Sequence, residues 1–555
     1  MNKRLLLALL LMGVVVVVTP YLFPAPKRAP AAVVSADSIR PAAPHDSAAP
    51  ALAPSGAAAQ NRAAADTTAA ATVSTIATAK ARLRLSSAGG ALVGAEMKEY
   101  RTLGADSQPV ELAPRGEPLL RFRIVAGTDT LRVDRMATAP TQSESQIAFA
   151  GVAHGVPVTV RWSFAPDTHH VHVRGGDEPV GYLTHVDVSA PSLRGSAYLL
   201  VDLPTGFRSS ESDSVDDFRH LAYAYKPASG GSDLVRFGKP AVGQRTVERG
   251  PLVWAVAKSK YFLVGVLAPT DADRFAELQV AGVPKTGRLA TRGEATVVVP
   301  MRGGAAALEV YAGPQEWKRL VAVGREFENS NPYGGWMQGI VQPFATIVMR
   351  ALLGMRAVLK LNYGWTLIIF GFLIRIVLWP LNQKAMRSNL KLQRIQPELA
   401  EVQKKYASNP EKQREEIMRV YREHGMSPFS PLSGCLPMLI PMPVLFALFF
   451  VFQNTIEFRG VGFWWMTDIS QKDPYYILPL IMGASMFLLS WLGLRNAPPN
   501  PQAKMMAFVF PGIMVAFLLN FAAGLNLYYA AQNLASIPQQ WLIANERAKA
   551  NPRSG

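Results

Sequence analysis

The chain has 555 residues, a formal net charge of +17 and 49% hydrophobic residues. The apolar residues crowd its beginning and the part beyond residue 335, leaving a polar, Gly- and Pro-rich stretch between them, which describes a membrane protein with one large water-exposed domain and not a purely soluble one. A single cysteine, Cys435, excludes intrachain disulfides, and eight histidines all outside the apolar runs exclude the paired ligands of an intramembrane metalloprotease.

In chain order, the N-terminus reads MNKRLLLALLLMGVVVVVTPYLF. Residues 1–23 are expected as a retained signal-anchor helix, because the apolar run exceeds a signal-peptide core and meets Pro20 and Pro24 where a cleavage site would stand. Residues 24–79, rich in Ala, Pro, Ser and Thr, lack the apolar content for a core and are expected as a disordered tether. Across 80–320, short alternating runs such as LRFRIVAG, VPVTVRWSF, HHVHVRG, YFLVGVLA and ATVVVPM recur between turn residues. That is strand chemistry, and it predicts an all-β sandwich. His170 and His172 alternate on one strand, which suits a solvated face better than a metal site. Asp213, Asp216 and Asp217 are expected in a solvated loop.

From residue 332 to 360 the period changes to that of a helix. Met337, Phe344, Ile347, Val348, Ala351 and Leu352 share one face and Arg350 and Arg356 interrupt the run, so an amphipathic helix in the interface plane is expected, against a further full span. Residues 361–545 then supply five apolar segments, at about 364–381, 431–452, 475–492, 504–519 and 524–543. With 1–23 they predict six transmembrane helices. The 431–452 segment carries Pro437, Pro441 and Pro443, each removing a backbone donor. The 504–519 segment is short for a span.

The first of the five holds Arg375, within YGWTLIIFGFLIRIVLWPL. An arginine keeps its charge, and mid-membrane it costs at least ~2.5–3.5 kcal/mol on insertion scales. No Asp or Glu lies inside any other predicted span. Water and neutral polar groups must therefore meet the guanidinium, which implies a wet cavity within the membrane. The last segment offers such groups: Asn526, Tyr528, Tyr529, Gln532, Asn533 and Ser536. Asn526, Tyr529 and Asn533 share a face, read either as ordinary interhelical hydrogen bonding or as the polar wall opposite Arg375.

Between the first two of these segments, residues 383–425 read as two charged helices broken at Ser408-Asn409-Pro410, a helical hairpin. Its cations include Lys384, Arg387, Lys391, Arg394, Lys404 and Lys405. It is either a solvated linker or a docking arm for a polypeptide or ribosome. The 381–430 loop holds ten Lys or Arg residues, whereas 454–473 holds only Arg459 and Lys472. Basic short loops stay cytoplasmic, so the hairpin, both termini and the short tail 546–555 are placed inside and the β domain outside, in a bacterial periplasm.

Five blocks are specific enough for a resemblance: YGWTLIIFGFLIRIVLWPL, LQRIQPELAEVQKKY, SPFSPLSGCLPMLIPMPVLFALFFVF, DPYYILPLIMG and GLNLYYAAQNLASIPQQ. Together they resemble the YidC-type membrane protein insertases, a family that includes the mitochondrial Oxa and chloroplast Albino insertases. The resemblance covers about 333–542, and the β domain and anchor fit the long bacterial form by position.

It implies an inner-membrane insertase and chaperone, not an enzyme, with a five-helix core around a groove open to cytoplasm and lipid. Arg375 would lie in that groove, with Tyr528 and Tyr529 as wall. Many members carry a hydroxyl residue four positions before the arginine, where this chain has Gly371. Nascent membrane proteins, the Sec translocon, membrane lipids and, transiently, the ribosome are the implied partners. No cofactor is expected and no nucleic-acid motif is recognised. A strong tail-mediated ribosome contact is not expected, because the chain ends NERAKANPRSG. An anion transporter, an intramembrane enzyme and a plain scaffold are the rival readings.

Overall fold

The computed structural model describes residues 71–550 together with Val33–Val34, apart from breaks at 79, 105, 165–168, 174–175, 286, 288, 334–337, 426–441 and 496–500. The chain divides into two compact units, Met1–Pro332 and Tyr333–Gly555.

The first unit is built from antiparallel strands. One layer runs β7 (Asp129–Leu131), β6 (Arg121–Ala126), β14 (Ala197–Asp202), β20 (Glu294–Met301), β19 (Phe275–Ala281) and the first half of β17 (Arg245–Lys258). The second half of β17 pairs with β15 (Ala222–Pro227) and β18 (Phe262–Leu267). From β18 the path continues through β21 (Ala305–Pro314), β13 (Leu183–Ser189), β10 (Val156–Ser163), β9 (Gln146–Ala153) and β8 (Ala139–Gln142). β17 is thus one strand shared by two layers, and its register with β19 shifts between Arg249 and Leu252.

The layers stack face to face. Phe122 on β6 meets Trp162 on β10 with ring centroids 6.1 Å apart, although seven strands separate β6 from β10 along the path. Alternation explains the stacking: Phe122, Ile124, Leu199, Val201 and Val297 point inward and are buried, while Arg121, Arg123 and Asp202 point outward. The five quoted alternating runs all form strands, at β6, β10, β11 (His170–Val173), β18 and β20. β11 pairs with β12 (Gly176–Pro179), where His172 Nδ1 lies 2.9 Å from Asp177.

Two expectations for this unit need correction. The stretch expected as a tether already contains strand: β2 (Val73–Ala77) pairs with β3 (Ala81–Ser86), and Val33–Val34 pairs with Arg245 and Thr246. The run VSTIA alternates well enough to extend an existing sheet, whatever its Ala-rich flank suggests. Nor are the three aspartates a solvated loop. Asp213 caps helix α1 (Ser214–Arg219), accepting from the Asp216 amide at 3.0 Å. Asp217 is buried and accepts from the Lys260 amide at 3.1 Å, while Asp216 pairs with Lys260 Nζ at 2.8 Å. Burial raises the Asp217 pKa. Helix α2 (Trp317–Val323) closes this unit.

The second unit is helical. α3 (Gln338–Leu359) is followed by α4 (Tyr363–Lys405), α5 (Pro410–Glu423), α6 (Met442–Asn454), α7 (Ile477–Leu494), α8 (Pro501–Leu518) and α9 (Ala523–Ala550). Among the described residues, two stretches are long and apolar enough to cross a membrane, Tyr363–Gln383 and Ile477–Leu494. Val444–Asn454 and Ala507–Leu518 are shorter apolar helices. The expected span at 1–23, and the 431–441 part of the one at 431–452 with Cys435, Pro437 and Pro441, lie outside the described residues.

α4 differs from the expected boundary at 381–383. It runs from the apolar segment into the charged one with Pro380 and Pro397 inside it, because most of Asn382 to Lys405 is strong helix formers. It ends at Lys405, and Asn409 then caps α5, accepting from the Lys412 amide with Pro410 at the first helical position. Ile395 and Leu399 pack on Val420 and Tyr421, so α4 and α5 lie side by side. Likewise α9 continues to Ala550, past the tail boundary expected at 546.

Candidate functional site

The helical unit packs α9 between α4 and α7, and two glycines let the helices approach. A Cβ placed on Gly371 would lie 3.2 Å from the Tyr528 carbonyl oxygen and 3.3 Å from Ala531 Cβ. One placed on Gly483 of α7 would collide with Val515 of α8. Small residues at such crossings are how helices gain van der Waals contact in lipid. Gly371 is therefore the seat of the α4–α9 contact, and Phe370 beside it meets Tyr528 with ring centroids 5.9 Å apart.

One helical turn further along α4, the guanidinium of Arg375 reaches the same helix. Its Nη2 donates to Gln539 Oε1 at 2.7 Å. Gln539 is fully buried, and its Nε2 donates to the Trp379 carbonyl at 3.2 Å and to Gln383 Oε1 at 3.2 Å. Only this orientation of the amide serves the cation and both acceptors together. Arg375 Nε is buried with no hydrogen-bond partner among the described residues, and Asn382 Nδ2 is in the same state. The neutral amide of Gln539 thus meets a charge for which no carboxylate partner stands among the described residues.

Distance along the helix places this cluster. Arg375 lies twelve residues from Tyr363, roughly 18 Å at 1.5 Å per residue, and Gln383 is ~12 Å further. Arg375, Gln539, Asn382 and Gln383 therefore form a polar ladder through the far part of the apolar segment. The Tyr363 end is different. Trp365 meets Phe463 and Trp464 with centroids 5.5 and 6.0 Å apart, and Trp464 stacks on Trp465 at 5.6 Å. Trp365 and Trp464 are largely exposed. Such rings favour the membrane–water boundary.

The expected site residues divide. Gly371 of α4 faces Tyr528 and Gln532 of α9: a Cβ on Gly371 would stand 3.4 Å from the Gln532 backbone nitrogen. Asn526 and Asn533 bond to other helices than α4. Asn533 Nδ2 donates to Ser485 Oγ of α7 at 2.9 Å, and Asn526 Nδ2 donates to the Leu518 carbonyl at the end of α8 at 3.2 Å. These two bonds, to α7 and α8, are the ordinary interhelical hydrogen bonding that the stripe also allowed.

The residue that sequence reasoning missed is Gln539. Tyr528, Gln532, Ser536 and Gln539 follow i, i+4, i+8, i+11, so the signal was present; Pro538 obscured it, because α9 carries that proline without breaking. Of the hairpin cations, Lys404 and Lys405 are exposed at the end of α4. Lys384, Arg387, Lys391 and Arg394 lie on the helical stretch before them.

Comparison with known proteins fits both units. Residues 74–347 match the family model described as YidC periplasmic domain, and residues 354–550 match that described as 60Kd inner membrane protein. A membrane protein insertase YidC of Anaeromyxobacter dehalogenans (strain 2CP-C) is 36% identical over 334 residues, which are 59% of this chain and 58% of that protein. The alignment thus spans little more than half of that relative's length. Another of Prosthecochloris aestuarii (strain DSM 271 / SK 413) is 31% identical over 426 residues, 73% of this chain and 71% of that protein. A solved structure described as an active YidC insertase with the first transmembrane domain resolved aligns with 85% of this chain and 93% of its own, at 16% identity and a TM-score of 0.34. Matched by models for both its units, and by a relative more than 30% identical over more than two thirds of that relative's length, the chain belongs to the YidC family.

Proposed function

We propose that the chain is a membrane protein insertase and chaperone that moves hydrophobic segments of newly made proteins laterally into the inner membrane. The observation that carries this reading is Arg375: a fixed positive charge on an apolar segment, met by the neutral Gln539 and left with a buried unpartnered Nε. Leaving a charged donor unsatisfied in hydrocarbon is expensive, so water must reach it. The polar ladder of Gln539, Gln383 and Asn382 supports entry of that water from the Gln383 end, which the basic residues of 381–430 assign to the cytoplasm.

The physical work of such a groove is to shorten a dry path. A client's hydrophilic flank must leave water to cross, and a wet cavity reaching partway through the bilayer lowers that barrier. Arg375 attracts an acidic flank into it. Once the flank is released outside, the apolar segment moves into lipid, driven by the hydrophobic effect. No covalent bond changes in this cycle. Six spans, cytoplasmic termini, a periplasmic β domain and α4–α5 as a docking arm for the ribosome complete the proposal, with the Sec translocon as a partner on some clients.

Reconstituted protein and a short single-span client with an acidic flank supply the test, scored by protease-protected product. Arg375→Glu lowers insertion at least tenfold, and Arg375→Lys keeps most of it. Equal, undiminished insertion by both variants removes the electrostatic role.

A further inference from the structure

The outer face of the β-domain layer carries a second arginine cluster. Arg121 stands opposite Asp202 in the sheet, and Asp202 stands opposite Thr296. A cavity of about 260 Å³ opens over these strands, lined by Arg121, Arg123, Arg132 and Arg245 together with Asp134 and Asp202. That is near the lower limit for small-molecule sites, and charged groups dominate its lining where such sites are usually apolar.

The charges are unevenly committed. Arg123 grips Asp202 with two hydrogen bonds, 2.9 and 2.6 Å, and Arg132 grips Asp134 with two more, 2.9 and 2.7 Å. Thr296 Oγ1 also donates to Asp202, at 2.7 Å. Burial works against the Asp134 charge, but the Arg132 bonds hold its pKa below the usual value. Arg245 donates to Gln279 at 2.8 Å, and on its row of the sheet stands Glu294, which also lines the cavity. Arg121 makes no hydrogen bond or ion pair among the described residues. The β6 end therefore carries three guanidiniums against two carboxylates.

We propose that this end of the cavity binds a phosphate group, carried either by a soluble small molecule or by a phospholipid headgroup. The two internal carboxylates fix the forks of Arg123 and Arg132 in place, so those guanidiniums are preorganised and Arg121 is left to supply the net charge. A guanidinium has five N–H donors and each bidentate pair uses two, so donors remain on all three arginines. They come from the sheet and from the turn that carries Arg132. A tetrahedral oxyanion offers acceptors in several directions and suits that arrangement, whereas a carboxylate offers them in one plane.

The test uses the full chain in maltoside detergent. Inorganic phosphate and glycerol 3-phosphate are titrated calorimetrically, and phenylglyoxal modification of Arg121 is followed by mass spectrometry with and without phosphatidylglycerol in the micelles. Saturable binding that weakens at least tenfold in Arg121→Gln, but not in Arg302→Gln at an exposed turn of the same domain, establishes a soluble-phosphate site. Protection of Arg121 by phosphatidylglycerol alone establishes a headgroup site. Arg121→Gln leaves its ion-paired neighbours intact, so loss of folding does not mimic loss of binding. Equal modification of Arg121 with and without phosphatidylglycerol, together with titrations unchanged in Arg121→Gln, overturns the proposal.

Discussion

The two units of this chain treat a buried cation in opposite ways. In the β unit, Arg319 has a side chain only 5% exposed, and it is held by Glu316 at 2.6 Å, Glu178 at 3.5 Å and the Pro179 and Val180 carbonyls at 3.2 Å each. Arg325 bonds to the buried Glu309, and Arg123 to Asp202. In the helical unit the interior answer is neutral. Arg375 meets Gln539, while the ion pairs Arg419–Glu416, Arg419–Glu423 and His424–Glu398 lie at the hairpin beyond the apolar segment. A carboxylate locks a guanidinium, whereas an amide only steadies it. The β unit uses arginines as structural pins, and the helical unit keeps one available.

Removing a pin has the largest expected effect. Arg319→Ala strands Glu316 and two carbonyls, and it should destabilise the β unit by about 3 kcal/mol, at the lower bound for breaking a buried pair because Glu316 is partly exposed. A urea titration of the full chain followed by its β-sheet signal reads this out; an unchanged midpoint would mean that the pairs are decorative.

Converting the available cation into a pin comes next. Gln539→Glu places a carboxylate where the amide oxygen sits, 2.7 Å from Arg375 Nη2. The comparison then predicts a better-anchored helix pair and a roughly tenfold loss of insertion for an acidic-flanked client, a cost of ~1.4 kcal/mol to the barrier. Insertion at the normal rate would show that the charge need not be free.

A third prediction uses the exception within the β unit. Lys258 is buried with Asn331 as its hydrogen-bond partner at 3.0 Å, and burial, with Arg236 nearby, pushes its pKa down to about 7 from 10.5. Below pH 7 the folded and unfolded states both hold the proton. Between 7 and 10.5 only the unfolded chain does, so stability should rise with pH across that window by up to ~1.4 kcal/mol per unit. His220, pushed down to about 4 by burial and by Lys258, adds a rise of the same sign from pH 4 to 6.5. Lys258→Met should flatten the alkaline slope in denaturant midpoints taken from pH 7 to 10. A slope that survives the substitution assigns it to other groups.

The smallest effect is expected at Gly371. Alanine gains up to about 1 kcal/mol of helix propensity, and its Cβ contact at 3.2 Å with the Tyr528 oxygen takes back a similar amount. Gly371→Ala should melt in detergent within a few degrees of the parent, and Gly371→Leu should separate α4 from α9 and melt well below it.

What could be read in advance followed physical locality. Period-two alternation marked β6, β10 and β18, and the Asn409-Pro410 signal marked the break between α4 and α5, because each is a property of a few consecutive residues. The charge of Arg375 and the absence of acids from the other apolar segments told of a neutral partner. Which neutral residue it is depends on the rotation of α9 against α4, set by the approach at Gly371, and no local pattern carries that angle. Of the two readings open for the stripe Asn526, Tyr529, Asn533, interhelical hydrogen bonding is the one that Asn526 and Asn533 meet, through the Leu518 carbonyl and Ser485. Sharing of β17 between two layers was equally invisible, since the pairing partners of its two halves lie far apart in the chain. The capping role of Asp213 was local and legible, and was passed over because three aspartates in a row of polar residues resemble a loop.

α4 is a single rod of 43 residues, Tyr363 to Lys405, about 65 Å long at 1.5 Å per residue. Some 33 Å of it extends past Gln383 as a lever arm, with α5 bracing its tip. A tilt of ~10° about the Gln383 level would swing that tip by roughly 6 Å and rock the Arg375 section the other way by ~2 Å. Pro380 and Pro397 each remove a backbone hydrogen bond between that tip and the guanidinium, so a tilt of the arm is shared between the Arg375 section and two weakened points of the rod.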